Sequence, residues 1–383
     1  MQRFDYIIIG GGASGLLLAE AMGRDPWFAA KGIALIEADP AKENDRTWCF
    51  WEAGEGRFDP LLFRQWDRLR FRDAAGDTCQ SIAPLRYKML RGADFYREWY
   101  GRVRSFPNIE LIEARVEALE EGTDGVLVRT ARGNFGATQV FSSVLFKDLG
   151  PLMRPYPVLK QHFIGWQVKT SRPLFEASTP TFMDFGVAQR GNTRFMYILP
   201  FSSDEALVEY TLFSESLLPD SEYEAALAEY LEETLGCAEY EILEREKGSI
   251  PMTCNDFSAA DSPRITHIGI AGGWAKPSTG YTFWSSVQKT DRLIESLKSG
   301  GELRMARKDR FWYYDLVMLE VLYRKNDRGS LIFSGMFGKL PAPLILRFLH
   351  EQTSPGEDLR VIAACPKGMF LAAAWRTLLK SLS

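Results

Sequence analysis

The first fifteen residues constrain the chain most. Phe4-Asp5-Tyr6-Ile7-Ile8-Ile9 is a short apolar run with the length and residue types of a buried strand. It enters Gly10-Gly11-Gly12-Ala13-Ser14-Gly15, and Leu16-Leu17-Leu18-Ala19-Glu20-Ala21-Met22 continues as a helix. The GxGxxG spacing is filled by Gly10, Gly12 and Gly15. Gly10 permits the tight turn, Gly12 lets a pyrophosphate approach the backbone, and Gly15 lets the helix pack closely on the strand. The helix start at Ala13 and Ser14 offers N–H groups and a positive dipole end to phosphates. A second strand, Ile33-Ala34-Leu35-Ile36-Glu37, ends in an acid 22 residues after Gly15. Glu37 is thus placed to accept hydrogen bonds from the ribose of a dinucleotide.

At 383 residues the chain suits roughly two to three domains or one large interleaved unit. A net charge of −4 and the lack of a Lys/Arg run argue against nucleic acid as a partner. The five cysteines form no CxxC pair, which points to reduced, structural thiols in a cytosolic setting. The three histidines, His162, His267 and His350, have no metal-ligand spacing, so no metal is expected. With the first strand beginning at residue 4, no signal peptide or transit segment is expected. No apolar run reaches 18 residues, so membrane contact is expected to be peripheral only.

Along the chain, residues 44–52 read as a loop, polar and then aromatic, and residues 67–90 as short alternating strands. Residues 93–103 read as a helix, and 109–114, 125–130 and 139–146 as strands. Residues 160–212 are strand-rich, and 221–235 form a helix of Ala, Glu and Leu. An apolar strand over 265–271 runs into Gly272-Gly273, and 281–297 continues as a helix. Residues 303–383 are mostly helical by their 3.6-residue period. A second strand-glycine-helix unit so late in the chain predicts a discontinuous nucleotide domain with a β-rich insertion.

Three further segments narrow the reading. They are Asn44-Asp45-Arg46-Thr47-Trp48-Cys49-Phe50-Trp51-Glu52, Ala206-Leu207-Val208-Glu209-Tyr210-Thr211-Leu212-Phe213-Ser214, and Ala271-Gly272-Gly273-Trp274-Ala275-Lys276-Pro277-Ser278-Thr279-Gly280-Tyr281-Thr282-Phe283. With the N-terminal fingerprint they closely resemble the flavin-dependent lycopene cyclases of bacteria and plants, in the bacterial form without multiple membrane spans. The resemblance extends to 87–95, 161–166, 183–185, 248–252 and 310–315, nearly the whole chain.

The resemblance implies an α/β fold: an FAD-binding Rossmann-like domain of the GR2, p-hydroxybenzoate hydroxylase-like kind, an inserted, mostly antiparallel β-sheet substrate domain, and a helical C-terminal region. The expected division assigns 1–65, 85–155 and 256–300 to the FAD-binding domain. It assigns 66–84 and 156–255 to the substrate domain, and 301–383 to the helical region. The implied reaction is a proton-initiated cyclisation of the ends of lycopene or other linear carotenes, giving γ-carotene and β-carotene. It uses reduced FAD without net redox change, with NAD(P)H as the electron donor. The implied location is cytoplasmic, at the inner face of the cell membrane.

Such chemistry asks for a carboxylic acid kept protonated in an apolar pocket, negative charge beside the cation, and exclusion of water. Anionic reduced flavin at ~5 Å and an effective dielectric of ~20 attracts the cation by roughly 3 kcal/mol. Glu209 matches the acid of the family's Glu-x-Thr block, at the end of the apolar stretch Ala206-Leu207-Val208. The alternative is a strand-edge glutamate facing solvent. Leu231-Glu232-Glu233-Thr234 imitates a spelling found in plant members but lies in a helical stretch, so Glu232 and Glu233 read as solvated acids. Asp45 and Glu52 are weaker acid candidates.

The resemblance places Arg46 and Arg91 near the cofactor, with a loop salt bridge as the competing reading of Arg46. Gly272, Gly273, Thr279 and Gly280 resemble a second flavin-contact loop or, more simply, turn residues. Many FAD hydroxylases carry an Asp after the equivalent of Gly269. Here Ile270 follows, which fits the cyclases. Trp48, Phe50, Trp51 and Trp166 either line a polyene tunnel or pack a core. The apolar segments over 331–349, interleaved with Arg328, Lys339 and Arg347, suit a lipid-facing surface or a core helix pair. The rival enzyme classes on this fold are a flavin monooxygenase and a polyprenyl reductase, and the non-enzyme rival is a carotenoid-binding flavoprotein. Ring number, β or ε double-bond placement, and oligomeric state are left open by the sequence.

Overall fold

A computed structural model describes residues 1–146, 150, 153–305 and 308–382, the side chains of 379–382 excepted. The chain divides into two compact units, each assembled from three stretches. The first comprises Met1–Trp48, Arg91–Pro155 and Asn255–Lys308, and the second Cys49–Leu90, Tyr156–Cys254 and Asp309–Ser383. Residues 49–65 and 85–90 thus group with the second unit, not with the nucleotide unit as expected. The C-terminal helices also belong to that second unit.

The first unit is built on a twisted sheet. Its strands run Ile109–Glu113, Ile33–Glu37, Gln2–Ile9, Gly133–Ser142, Gly125–Thr130 and Val116–Gly122, with Ile265–His267 also paired to 133–142. The 109–113, 33–37, 2–9, 133–142 and 265–267 strands are parallel, and 116–130 forms an antiparallel hairpin that extends the sheet. Ile7, Ile9, Ala34, Ile36, Ala137 and Val140 form its core, as expected of short apolar strands covered by helices. The helices are Ala13–Arg24, Gly92–Ser105 and Phe283–Ser299.

Three local expectations are corrected here. The strand expected to reach residue 146 stops at Ser142, whose hydroxyl donates to Val144 O and accepts the Val144 N–H, turning the chain. The strand expected over 265–271 stops at His267, because Gly269 takes φ +61° and starts a 3-10 turn over Gly269–Gly272. Residues 44–52 are not wholly loop: Thr47–Ala53 is a strand, consistent with its run of Thr, Trp, Cys, Phe and Trp.

The second unit centres on a seven-stranded sheet in the order Tyr240–Thr253, Val158–Thr170, Glu205–Ser214, Thr193–Pro200, Thr181–Asp184, Arg68–Asp73 and Gly76–Ser81. All neighbours are antiparallel except 181–184 with 68–73. A smaller sheet joins Thr47–Ala53, Leu85–Arg91 and Arg64–Trp66.

One face of the large sheet is covered by the helix Asp220–Glu229 and its π-helical continuation Tyr230–Thr234. Ile164, Trp166, Val168, Met196, Val208, Tyr210 and Leu212 meet Tyr223, Leu227 and Leu231 there. Because strand side chains alternate faces, Leu207, Glu209, Thr211 and Phe213 point the other way. Five helices follow: Arg310–Arg324, Gly329–Phe337, Ala342–Leu349, Pro355–Ala364 and Lys367–Leu382. Among the described residues no helix is long and apolar enough to cross a membrane.

Candidate functional site

The glycine turn in the first unit has the geometry its spacing predicts. Gly10 takes φ +94°. A Cβ on Gly15 would lie 1.9 Å from Gly10 O, so only glycine lets the helix start this close to the strand. A Cβ on Gly12 would meet nothing within 4 Å, so space opens beside the backbone there. Gly12 caps the helix without a side chain, leaving the first-turn N–H groups at Ala13 and Ser14 for an anionic ligand. Glu37 is buried at the end of its strand. Its carboxylate accepts the Gly11 N–H at 2.5 Å and the Asp39 N–H at 2.9 Å, with the Lys42 ammonium 3.3 Å away. It therefore clamps the turn. Each carboxylate oxygen has two acceptor positions, so acceptor capacity for a ribose hydroxyl remains.

The second glycine cluster packs against the first. Ser14 Oγ lies 3.0 Å from Ser286 Oγ, and a Cβ on Gly269 would lie 2.7 Å from Ser14 Oγ. Gly269 and Ser286 are thus the residues that join the two segments, a role spacing alone did not reveal. A Cβ on Gly272 would lie 2.1 Å from His267 O, and Gly273 takes φ +66°. Both are turn requirements. Lys289 Nζ donates to Trp274 O at 3.1 Å and Ser285 Oγ donates to the same carbonyl at 2.6 Å, pinning the loop.

In that loop Gly280 takes φ +69°, and the buried Thr279 Oγ has no hydrogen-bond partner. An open glycine cradle, an uncapped helix start and an orphaned hydroxyl fit a bound dinucleotide. Arg46 O accepts the Gly92 N–H at 2.7 Å, which brings Arg46 beside Arg91 at the start of the 92–105 helix. The Arg46 guanidinium is half-exposed and bonds its neighbour's carbonyl, Asp45 O, at 2.6 Å. Ile270, in the place of the hydroxylases' Asp, is exposed.

Glu209 lies in the second unit, not at a strand edge. The 205–214 strand is flanked on both sides, and Glu209 pairs directly with Gly165 on one neighbour and Tyr197 on the other. It is 7% exposed. Burial pushes its carboxyl well above the ordinary carboxylate range, the Glu246 carboxylate pushes it further, and the Thr211 hydroxyl, which donates to Oε1, works against them.

Around it stand Tyr197, Tyr87 and Cys49. The Tyr87 and Tyr197 hydroxyls are 2.6 Å apart, and Cys49 interacts with both. Burial pushes the Cys49 thiol up to about 12 and the Tyr197 phenol far above its usual value, so both are neutral at ordinary pH. The arrangement sets a carboxyl whose neutral form is favoured beside the Glu246 carboxylate and polar side chains that are themselves neutral. Glu232 and Glu233 are exposed in the π-helical turn, as expected of solvated acids.

Other expected residues serve packing. Glu52 and Asp59 hold the Lys88 ammonium, whose side chain is fully buried, at 2.9 and 2.5 Å, so Glu52 is an ion-pair partner. Asp45 is exposed. Trp166 is corrected: it lies on the helix-covered face, opposite the face of Glu209, and packs with Val208, Tyr223 and Tyr240. Phe50 packs on Phe58. Trp51 stacks on His350 at 4.2 Å and donates from Nε1 to Leu346 O at 3.0 Å. Trp48 stacks on Phe283 with Phe95 and Tyr96 edge-on, within the first unit.

Of the two readings of 331–349, the structure has the core packing. Ile332, Phe333, Met336, Phe337, Leu344, Ile345 and Leu346 are buried, and only Leu331 of those apolar residues is strongly exposed. Spacing along the chain does not point to Glu246, Gly165 and Tyr197, which strand register joins, or to Tyr87 and Cys49, which come from the small sheet. An isolated glycine inside an apolar strand is the one local hint.

Residues 5–378 match the family described as Lycopene cyclase protein. The lycopene beta-cyclase of Pseudescherichia vulneris is 26% identical over 403 aligned residues, covering 98% of this chain and 97% of that protein. That of Pantoea ananas is 24% identical, covering 97% of each. Among solved structures, a geranylgeranyl bacteriochlorophyll reductase-like protein from Thermoplasma acidophilum superposes with TM-score 0.61 at 12% identity, covering 96% of this chain and 98% of that one. The p-nitrophenol 4-monooxygenase of Pseudomonas putida does so with TM-score 0.58 at 15% identity, covering 97% and 98%. These structures share the fold, an α/β Rossmann-like architecture with an additional sheet. With nearly its whole length matched, the chain belongs to the lycopene cyclase family.

Proposed function

We propose that this chain is a lycopene β-cyclase in which Glu209 is the general acid. The observation that carries the reading is the burial of Glu209, interior to its sheet, where burial and the Glu246 carboxylate favour the protonated form. A protonated carboxyl out of water delivers a proton to the terminal alkene of a linear carotene. The tertiary cation is attacked by the neighbouring double bond, and proton loss gives the β-ionone ring. Repetition at the other end takes lycopene through γ-carotene to β-carotene.

FAD fits the first unit, with Gly10, Gly12, Ala13, Ser14 and Gly15 at its phosphates, Glu37 at the ribose and Thr279 and Gly280 in the second contact loop. Its reduced form, supplied by NAD(P)H, provides negative charge that favours the cation without net redox change. For the contact with lipid we assign the 367–382 helix. Leu371, Trp375 and Leu378 form an i, i+4, i+7 stripe, exposed by 70%, 64% and 44%. A tryptophan in such a stripe suits the lipid–water interface, and a C40 hydrocarbon substrate resides in the bilayer.

The test is pigment formation in a lycopene-accumulating bacterial host. Glu209→Gln keeps shape but cannot donate a carboxyl proton. It is expected to retain FAD and leave lycopene uncyclised, a loss of at least ~10²–10⁴-fold. Glu233→Gln, the same change in a solvated turn, is expected to give β-carotene. The reverse pattern would overturn the assignment. With purified protein reduced once without oxygen, product should exceed flavin many-fold. Product limited to the amount of flavin would mark a redox enzyme such as a monooxygenase or reductase.

A further inference from the structure

Gly165 sits in the middle of the Val158–Thr170 strand, directly paired with Glu209 on one side and Glu246 on the other. Directly opposed residues in an antiparallel ladder point to the same face, so the two glutamates flank a position with no side chain. A Cβ at Gly165 would lie 3.1 Å from Glu246 Cγ and 3.5 Å from Glu209 Cβ. The missing side chain leaves the space in which the two carboxyls meet, and they are hydrogen-bonded to each other. A bond between two carboxyls requires a proton between them. Isolated glycines inside strands mark such close approaches.

We propose that Glu209 and Glu246 form a proton-sharing carboxyl pair across Gly165, with Glu246 the positioning residue that keeps the acid charged with its proton. The pair holds one proton and one negative charge. This deepens the reading of Glu209 as the acid and rests on it for its catalytic meaning. On donation the Glu209 O–H bond breaks and a C–H bond forms at the terminal alkene carbon. The pair is then two adjacent carboxylates, whose repulsion makes it a strong proton acceptor. After ring closure a C–H bond beside the cation breaks, its electron pair forms the ring double bond, and the proton returns to the pair. Protons and electrons balance over the cycle.

The other titratable groups facing Glu209 are Tyr197 from the 193–200 strand, Tyr87 from the 85–91 strand and Cys49 from the 47–53 strand. The Cys49 thiol and the Tyr197 phenol are neutral. Glu205 and Glu244 lie farther along the same face, and Glu205 accepts from Gln167 at 2.7 Å. The near charge is therefore that of Glu246.

The test is infrared titration of the protonated carboxyl band in the purified flavin-bound protein, beside the pH profile of kcat/KM on lycopene in vesicles. Wild type should keep a protonated carboxyl at pH values above the ordinary carboxylate range, and Glu209→Gln should lose it. In Glu246→Gln the band should titrate at least about one pH unit lower, and the alkaline limb of kcat/KM should move by the same amount, a tenfold change in proton affinity. Gly165→Ala, which inserts a methyl between the two, should shift both in the same direction and serves if Glu246→Gln does not retain flavin. A band and a limb that stay at the wild-type position in these variants would overturn the pair. A shifted band with a Glu209→Gln enzyme that still cyclises would support the pair and overturn Glu209 as the acid.

Discussion

His162 and Glu209 are both buried titratable groups, and they act on stability with opposite sign. His162 accepts or shares protons with the Ser214 hydroxyl at 2.7 Å and the Tyr223 hydroxyl at 2.5 Å. Burial, then Lys160 and Arg194, push its imidazole down to about 4. The unfolded chain titrates near the ordinary histidine value, so between that value and about 4 the unfolded state binds more protons. Stability is therefore lost as pH falls through this window, on the order of 2 kcal/mol. His162→Gln should flatten the fall of Tm between pH ~7 and ~4, although it is less stable at neutral pH. An unchanged slope would show that the imidazole titrates alike in the folded and unfolded chains.

For Glu209 the folded value is raised, so its contribution is present at low pH and is lost as pH rises above the ordinary carboxylate range. The Tm of Glu209→Gln relative to wild type should rise as pH increases above the ordinary carboxylate range. A constant difference would mean that Glu209 is ionised throughout.

Two glycines in one helix start separate folding from binding. Gly15 is needed by the fold, since a Cβ there meets the backbone of Gly10, whereas Gly12 faces open space. Gly15→Val should destabilise the protein by about 3 kcal/mol or more. Gly12→Val should leave the Tm of the cofactor-free protein near wild type while abolishing flavin retention after desalting. Flavin retained at wild-type stoichiometry in Gly12→Val would overturn the assignment of the cradle. In the small sheet, Lys88 serves the fold alone. It is fully buried between Glu52, Asp59 and Gly54 O. Lys88→Met strands two carboxylates and should cost about 3–5 kcal/mol by denaturant unfolding, with no comparable loss from Glu233→Gln.

At the scale of the molecule, the C-terminal helices invert the expectation for their lipid surface. The residues over 331–349 that look interfacial in sequence fill a core, and the exposed stripe lies on the last helix. Leu371→Asp with Trp375→Asp should abolish flotation with anionic vesicles and leave flavin content unchanged. Flotation equal to wild type would remove this helix as the contact.

The strand-glycine-helix start, its acid at Glu37 and the strand setting of Glu209 against the helical setting of Glu233 are legible in the sequence because each depends on neighbours a few residues apart. A turn, a helix start and an alternating strand are local matters of backbone sterics and side-chain period. What Glu209 faces is not local. Gly165, Glu246 and Tyr197 come from three strands brought to Glu209 by a register that only the packed sheet decides, and Cys49 reaches the site from the separate small sheet. The same holds for Trp166, whose aromatic character is plain in sequence but whose face follows from the helix that covers it. An apolar stripe along a helix announces that it will be buried, but whether against protein or lipid depends on the partner surface. For residues 331–349 the packed helices supply that partner. For Leu371, Trp375 and Leu378 the fold leaves the stripe exposed.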